Sequence, residues 1–230
     1  MSNDAEEVSI MDLKSEDALM KILRNDVLFK FMPGAFPKVA TTLGPSKIVF
    51  IRLYDIDLSG YRENTYGLKT SRMVTLRLDA STFSLMQEVE EALKKAALRL
   101  GKINNKKITR DVLDNNFQSR LFEHEHNGAG SLTVKCGNDI TSAKTDDGEA
   151  VDFEAIQDYL SEHENLKALR VAVQPTYLWS QTPMKIGISW ELKVMVLAKW
   201  PIPEEEAASH EQKNEMVLPE VRLDDFTLDE

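Results

Sequence analysis

Alternating hydrophobic and polar positions mark the first strands of the chain. Residues 47–58, KIVFIRLYDIDL, are rich in the β-branched and aromatic residues that strands favour. Residues 71–79, SRMVTLRLD, alternate strictly from Val74 to Leu78. The stretch 59–67, SGYRENTYG, is rich in turn-forming residues. The pattern therefore predicts two strands joined by a long loop.

Further strands are predicted towards the carboxyl end. A short one covers 131–136, SLTVKC, and a second covers 166–174, LKALRVAVQ, with Leu169 among its core positions. A long strand covers 184–200, MKIGISWELKVMVLAKW, and Gly187 is the expected site of a bend or bulge in it.

Helical spacing replaces alternation in two segments. From Ser81 onwards apolar residues recur every three or four positions, Ser81 or Thr82 can cap the start, and Gly101 follows the last turn. The acidic and basic side chains of this helix, Glu90 included, are expected to face water. Residues 153–163 fit a second, short helix.

The order of the elements favours one fold class, mainly β with helices (α+β). Strands are followed by a long helix, more strands, a short helix and a terminal β-hairpin, and residues 104–131 are loop-like at both ends. Five or more strands with few helices fit a small Greek-key β-barrel with helical insertions.

Alternation also assigns side chains to the outer face of the strands. Trp190 falls among the core positions of the last strand, so it is expected to be buried. On the non-core face every strand offers a basic residue, and the first strand also offers aromatic rings. These outward side chains are Phe50, Arg52, Tyr54, Arg77, Lys135, Arg170 and Lys193.

Cations and exposed rings on one surface are what a single strand of nucleic acid requires. Lys and Arg neutralise phosphates, and unstacked bases lie on aromatic faces. If the strands form one sheet, the outward side chains share such a surface; the alternative is that they only solvate outer sheet faces. A second aromatic and basic cluster lies in and after the first loop and contains Tyr61, Arg62, Tyr66, Lys69 and Arg72.

The distribution of charge divides the 230-residue chain, whose net charge is −10, into three parts. Residues 1–20 carry six acidic residues and one basic residue, and residues 201–230 carry ten acidic and two basic residues. The segment 21–200 between them carries 25 basic and 22 acidic residues and is mildly basic. We predict a flexible acidic arm over 1–20, a nucleic-acid-binding domain over 21–200 and a disordered acidic tail over 201–230.

The sequence predicts neither a membrane protein nor an enzyme. No apolar run approaches the roughly 20 residues of a membrane span, the N-terminus lacks the order of a signal peptide, and Cys136 is the single cysteine, so an intracellular location is expected. Glycine-rich phosphate loops and CxxC pairs are absent from the sequence, and His124 and His126 have no third ligand nearby. We therefore expect no cofactor and no metal.

The carboxyl half resembles a known family. RVAVQPTYLW (170–179) followed by KIGISWELKVMVL (185–197) is similar to the closing part of the single-stranded DNA-binding replication proteins of short-tailed phages, which have relatives in large eukaryotic DNA viruses. The upstream SLTVKC and DDGEAVD, and the acidic end LPEVRLDDFTLDE, also resemble that family. The resemblance covers residues 131–230 well and residues 45–100 only in general order.

The resemblance implies an OB-type barrel that coats single-stranded DNA in replication, repair or recombination. Tyr177, Trp179 and Lys185 match the positions that line the family's groove. The acidic tail is expected to bind a polymerase or helicase, and its candidate residues are Asp224, Asp225, Phe226, Asp229 and Glu230. The tail departs from the family in one respect, since Phe226 lies four residues before the end.

Other function classes stay open at this point. A scaffold protein of a virion or an assembly factor would also fit a net-negative chain with acidic ends. An RNA-binding barrel protein would use the same kind of groove, and a metal-dependent nuclease would need a metal site that the sequence does not mark. Association of identical chains is compatible with each of them.

Overall fold

The computed structural model describes residues 6–9, 27–30, 38–41, 49–66, 69–124, 128–137, 141–181 and 185–201. The strands within these residues are β1 (Glu6–Ser9), β2 (Val27–Lys30), β3 (Lys38–Thr41), β4 (Val49–Tyr66), β5 (Lys69–Leu78), β6 (Lys102–Ile103), β7 (Lys106–Lys107), β8 (Leu121–Glu123), β9 (Gly130–Cys136), β10 (Ser142–Thr145), β11 (Ala150–Val151), β12 (Asn165–Gln181) and β13 (Lys185–Leu197). The helices are α1 (Ala80–Leu100), α2 (Arg110–Asn116) and α3 (Phe153–Glu162).

Five of the strands close into a barrel. β4 pairs with β5, β5 with β9, β9 with β13, β13 with β12, and β12 with β4. These pairings are antiparallel except that of β9 with β13, which is parallel. Such a closed order is that of an OB-like Greek-key barrel, and the three helices of the described residues all lie in connections between its strands. The predicted α+β fold class is confirmed.

Shorter strands extend the barrel. β10 runs parallel to β13 and carries β11, whereas β3 and β2 continue the sheet beyond β12. β1, which lies within the predicted acidic arm, pairs in parallel with the start of β4. None of the helices in the described ranges is both long enough and apolar enough to cross a membrane.

The alternation of buried side chains in β4 changes phase at Asp55. Ile51 and Leu53 are buried before Asp55, and Ile56 and Leu58 are buried after it. Asp55 has a φ of 51°, a left-handed conformation that turns the following side chains to the other face. The long strand can therefore curve around the barrel while it keeps its apolar side chains inside.

The neighbouring strand β12 changes phase at the same level. Ala168 is buried before the change and Val171 after it, and Leu169 is only half-buried. The prediction that Leu169 lies in the core is wrong, because it extends one alternation through a kinked strand. Trp190 on β13 is only 1% exposed, which confirms that it belongs to the core.

The stretch 59–67, predicted to be a loop, is mostly strand. β4 continues to Tyr66 and pairs with β5 over this length. The register shifts between Ser59 and Arg62, and Gly60 at the shift has a φ of 60°. The turn-forming residues thus mark a β-bulge inside a hairpin, and the strand continues beyond it.

Helix α1 is confirmed, with two differences in detail. The Asp79 side chain accepts a hydrogen bond from the Thr82 N–H at 2.7 Å, so the cap lies two residues before Ser81, the first predicted cap. Gly101, with a φ of 78°, ends the helix as predicted. Glu90 does not face water: it is buried and accepts a hydrogen bond from Ser119 Oγ at 2.8 Å.

Helix α3 lies beside the end of the compact part of the chain. The Asp152 side chain caps the helix by accepting from the Glu154 N–H at 2.9 Å. The ring of Tyr159 meets the ring of Trp200 edge-on, with centroids 6.0 Å apart. The compact unit ends at Trp200, so this tryptophan has a packing role.

Candidate nucleic-acid interface

A pocket of about 310 Å³ opens where β5, β9, β12 and β13 meet. This volume is at the lower end of the range of ligand sites. Aromatic rings, cations, small polar side chains and one methionine line it, among them Met73, Arg120, Lys135, Tyr177, Trp179 and Ser180. Three of these, Lys135, Tyr177 and Trp179, are residues that the sequence predicts for the site.

A glycine on the neighbouring strand fixes the indole of Trp179. Trp179 pairs with Gly187 in the register of β12 and β13. A Cβ atom on Gly187 would stand 2.5 Å from Cζ2 of Trp179 and 2.9 Å from the carbonyl oxygen of Gln118. Only glycine therefore lets the ring lie directly on the strand. The expectation of a bulge at Gly187 is wrong, since the register passes through it without a shift.

A lysine and a tyrosine meet in the wall of the pocket. Lys135 Nζ donates a hydrogen bond to Tyr177 Oη at 2.9 Å. Burial acts to raise the pKa of the Tyr177 phenol, but the hydrogen bond and the charge of Lys135 act against it, and the net shift of the pKa is downward. The phenol holds the ammonium group in place, and the ammonium keeps further N–H donors for an anion.

Arg120 adds positive charge to the same wall, and Arg62 lies on the neighbouring outer face of β4. The carbonyl oxygen of Arg120 accepts from the Thr133 N–H at 3.0 Å, which fixes the backbone of Arg120 beside β9. Burial lowers the pKa of Arg120, and the charge of Arg62 lowers it further, so the two guanidinium groups are close enough to repel. Arg62 pairs with Met73, and Met73 with Lys135, so the three share the outer face.

Helix α1 positions the segment that carries Arg120. Glu90 accepts a hydrogen bond from Ser119 Oγ, and Lys94 Nζ lies 4.6 Å from the centroid of the Phe117 ring. Burial raises the pKa of Glu90 above its ordinary value, although Ser119 and Lys94 act to lower it. Sequence reasoning missed Arg120 because it lies between α2 and β8, where no alternation indicates a face.

An acidic side chain also lies near the pocket. Glu191 on β13 is the register partner of Lys135 on β9, and it forms an ion pair with Lys193 at 2.5 Å. The predicted site residue Lys193 therefore neutralises Glu191 and does not line the pocket.

Three predicted residues form a separate group, which we call the β4–β12 group: Arg52, Tyr54 and Arg170. Arg52 Nη1 donates to Tyr54 Oη at 3.3 Å, and Tyr54 pairs with Arg170 across the two strands. Phe50 precedes them, half-buried, and Arg77 is exposed on β5. None of these five lines the pocket. The pocket therefore contains only part of the predicted common surface, since closure of a barrel turns the outer faces of different strands in different directions.

Strand alternation also divides the cluster predicted in and after the first loop. Tyr61 Oη donates to Glu63 Oε1 at 2.8 Å and contacts Gln157 of α3 at 3.4 Å, while Arg72 donates to Glu63 at 2.7 Å. Burial, with the hydrogen bond to Glu63, raises the pKa of Tyr61 to about 12. Arg62 takes the opposite face, where its register partner Met73 lines the pocket.

The other predicted binding residues lie at hairpin ends or outside the described ranges. Tyr66 pairs with Lys69 at the end of the β4–β5 hairpin. Lys185 is exposed and pairs with Gln181, which lines the pocket. The tail residues Asp224, Asp225, Phe226, Asp229 and Glu230 lie outside the described residues.

The residue types that could take part in thiol or metal chemistry are the single cysteine and two neighbouring histidines. Cys136 is buried, and burial raises the pKa of its thiol to about 12. His124 is exposed, and His126 lies outside the described residues. Within the described ranges no three His, Cys, Asp or Glu side chains are arranged to hold a metal ion.

Comparison with known proteins finds solved structures with a similar chain path. The single-stranded DNA-binding protein from bacteriophage Enc34 is 12% identical, with 78% of this chain and 93% of that chain covered at a TM-score of 0.43. The same phage protein in complex with ssDNA is 10% identical, with 78% and 99% covered at a TM-score of 0.43. The protein gp2.5 encoded by bacteriophage T7, a single-stranded DNA-binding protein, is 12% identical, with 78% and 98% covered at a TM-score of 0.40.

These are phage proteins of the class that the sequence resembles. No family model and no curated protein matches the chain.

Proposed function

We propose that the protein binds single-stranded DNA in the pocket. The observation that carries this proposal is Trp179, whose indole lies on Gly187 and lines a cavity with Lys135 and Arg120 in its wall. An aromatic face stacks on an unpaired base and contributes about 1–3 kcal/mol per base, and the cations beside it contact phosphates.

The charges around the pocket favour an anionic ligand. Arg120 is half-buried in the wall of the pocket, so a phosphate beside it would replace part of the solvation that burial removes. Lys135 is held at the same wall by Tyr177. The nearby carboxylate of Glu191 already has a cationic partner in Lys193 and opposes the phosphate less than a free acid would.

The role we propose is coating of exposed single strands, without catalysis, in replication, repair or recombination inside the cell. Base stacking and phosphate contacts tolerate any sequence, because every base has a flat face and every nucleotide has a phosphate. Salt should weaken this binding strongly, since cations that neutralise phosphates release counterions.

We extend the proposal to the acidic tail, residues 201–230, which carries ten acidic and two basic residues. A short flexible tether gives an effective concentration around the millimolar range, so the tail competes with DNA for the cationic pocket. DNA would then release Asp224 to Glu230 for a polymerase or helicase. Deletion of residues 204–230 should tighten DNA binding at matched salt, and unchanged or weaker affinity would contradict the competition.

Tryptophan fluorescence during titration with oligo(dT) tests the pocket. Stacking on Trp179 should quench the emission. Trp190 also borders the pocket but is only 1% exposed and offers no face for stacking, and Trp200 packs on Tyr159. The control Trp200→Phe should keep the quenching, and Trp179→Phe should lose most of it. Quenching that survives in Trp179→Phe would overturn the assignment.

Competitors of matched length separate the remaining function classes. An RNA strand or a DNA duplex should displace the labelled oligo(dT) less well than unlabelled oligo(dT) does. Equal competition by RNA would favour an RNA-binding barrel protein, and an absence of binding to every strand would favour a scaffold role.

A further inference from the structure

A small hairpin in the connection between β5 and β9 carries three lysines. Its strands β6 and β7 pair Lys102 with Lys107 and Ile103 with Lys106. The turn consists of Asn104 and Asn105, which have φ angles of 48° and 61°. Two successive left-handed residues are the geometry of a tight two-residue hairpin turn, and asparagine adopts it readily.

Apolar side chains fix this hairpin to the body of the protein. Ile103 is fully buried and Ile108, just beyond β7, is nearly so. The Ile108 N–H donates to the carbonyl oxygen of Gly101 at 2.9 Å, which closes the base of the hairpin. The hairpin is therefore held from both strands, and its exposed side chains have a defined position.

The three lysines of the hairpin are exposed and available to a ligand. Lys102, Lys106 and Lys107 all face solvent. Within the described part of the chain, none of the ion pairs involves them. By contrast, the nearby Arg110 is paired with Asp114 at 3.1 Å.

A side-chain hydrogen bond places the hairpin beside the pocket. Asn104 Nδ2 donates to Ser180 Oγ at 2.9 Å, and Ser180 is one of the residues that line the pocket. The turn of the hairpin thus lies at the rim, next to the β12 residue that follows Trp179. The cations of the hairpin continue the positive charge of Arg120 and Lys135 beyond the pocket.

We propose that the β6–β7 hairpin binds the phosphate backbone of a DNA strand as that strand leaves the pocket. This inference rests on the proposed function, because the strand must first occupy the pocket. Lysine ammonium groups suit phosphates and not bases, so the hairpin should add affinity without adding sequence preference.

The test replaces Lys102, Lys106 and Lys107 together by Gln in the full chain. If each lysine neutralises one phosphate, the slope of log affinity against log salt should fall by about 2, since single strands lose about 0.7 per contact. Between 50 and 200 mM salt, the parent protein and the variant should both lose affinity. The factor by which the parent's affinity falls should be about 15 to 20 times the factor for the variant. The control replaces Lys95, Lys144 and Lys167 by Gln, which removes the same charge at positions that do not line the pocket, and should leave the slope unchanged.

Strand length supplies a second readout. The hairpin variant should bind a strand of about twelve nucleotides more weakly than the parent protein does, and should bind about three nucleotides equally well, given that an OB barrel covers roughly 4–16 nucleotides. An unchanged salt slope in the hairpin variant, while Trp179→Ala still weakens binding, would overturn this inference and leave the pocket intact. Unchanged binding in both variants would overturn the proposed function itself.

Discussion

The pocket and the β4–β12 group contain the same types of side chain in different arrangements. In the pocket, the ring of Trp179 lies on Gly187, and cations from separate elements surround one cavity. In the β4–β12 group, the cation of Arg52 and the phenol of Tyr54 bind each other, and no lining residue of the pocket comes from the group. A ring and a charge on an outer face therefore do not suffice for a site. Convergence on a cavity distinguishes the two regions.

Removal of the stacking ring should give the largest difference between the two regions. Trp179→Ala removes about 1–3 kcal/mol of stacking per base, so oligo(dT) should bind roughly 5- to 150-fold more weakly. The matched change Tyr54→Ala in the β4–β12 group should alter the affinity less than about twofold. Equal losses in the two variants, measured by fluorescence anisotropy at one salt concentration, would remove the distinction between the regions.

The glycine beneath the ring should matter nearly as much. Gly187→Ala places a Cβ within 2.5 Å of Trp179 and 2.9 Å of the Gln118 carbonyl, so the ring and the backbone must shift. Overpacking of this kind costs about 1–3 kcal/mol of stability, and the displaced ring should weaken DNA binding about tenfold. Thermal unfolding and titration of the same sample measure both effects. Gly148→Ala is the control: its φ of 92° strains an alanine, so it should lose stability, but its Cβ meets no neighbouring atom and DNA binding should stay unchanged.

Removal of two cations from the pocket should reduce the salt dependence of DNA binding, whereas removal of two cations from the β4–β12 group should not. The double variant Arg120→Gln with Lys135→Gln should lower the slope of log affinity against log salt by about 1.4, at about 0.7 per phosphate contact. The double variant Arg52→Gln with Arg170→Gln removes the same charge and should leave the slope unchanged. A reduced slope in this second variant would mean that DNA contacts the wider surface predicted from strand alternation.

The smallest expected effect is a pH dependence of stability that comes from Glu90, which binds Ser119, the residue before Arg120. Because burial raises the pKa of Glu90 in the folded protein, the folded state binds its proton more tightly than the unfolded state. Stability should therefore fall as pH rises from about 4.5, the ordinary value, through the raised pKa. Glu90→Gln should abolish that part of the fall and preserve DNA binding, since its amide oxygen still accepts from Ser119. Chemical denaturation at several pH values measures it, and an unchanged pH profile in the variant would exclude Glu90 as the cause.

Periodicity predicts those parts of the molecule in which a strand or helix keeps one phase. The structure contains helix α1, which helical spacing predicts. It also contains the buried Trp190 and the outward Lys135, which strand alternation predicts. The predicted core position of Leu169 is wrong, because β12 changes phase opposite the left-handed Asp55 of β4. The predicted loop over 59–67 is wrong, because its turn-forming residues form a β-bulge within a strand. Such irregularities depend on how a strand must curve to close the barrel, which is a property of the whole sheet.

The pocket itself depends on contacts between residues far apart in the sequence. Trp179 and Lys185 are suggested by resemblance, but the seat of the indole on Gly187 requires the register of two strands. Arg120 is placed by the pairing of its backbone with Thr133 and by the hydrogen bond between Glu90 and Ser119. Neither pairing has a local pattern that a single sequence displays, so this cation could be recognised only in the folded chain.

Photocrosslinking of a single-stranded DNA that carries 5-iododeoxyuridine tests the central claim most directly, because this base forms adducts with aromatic side chains in contact with it. After trypsin digestion, Tyr177 and Trp179 lie in the peptide of residues 171–185, and Tyr54 lies in that of residues 53–62. Binding in the pocket predicts adducts on the 171–185 peptide that disappear when unlabelled oligo(dT) is added in excess. Adducts confined to the 53–62 peptide, which contains Tyr61 as well as Tyr54, would place the DNA outside the pocket and contradict the account.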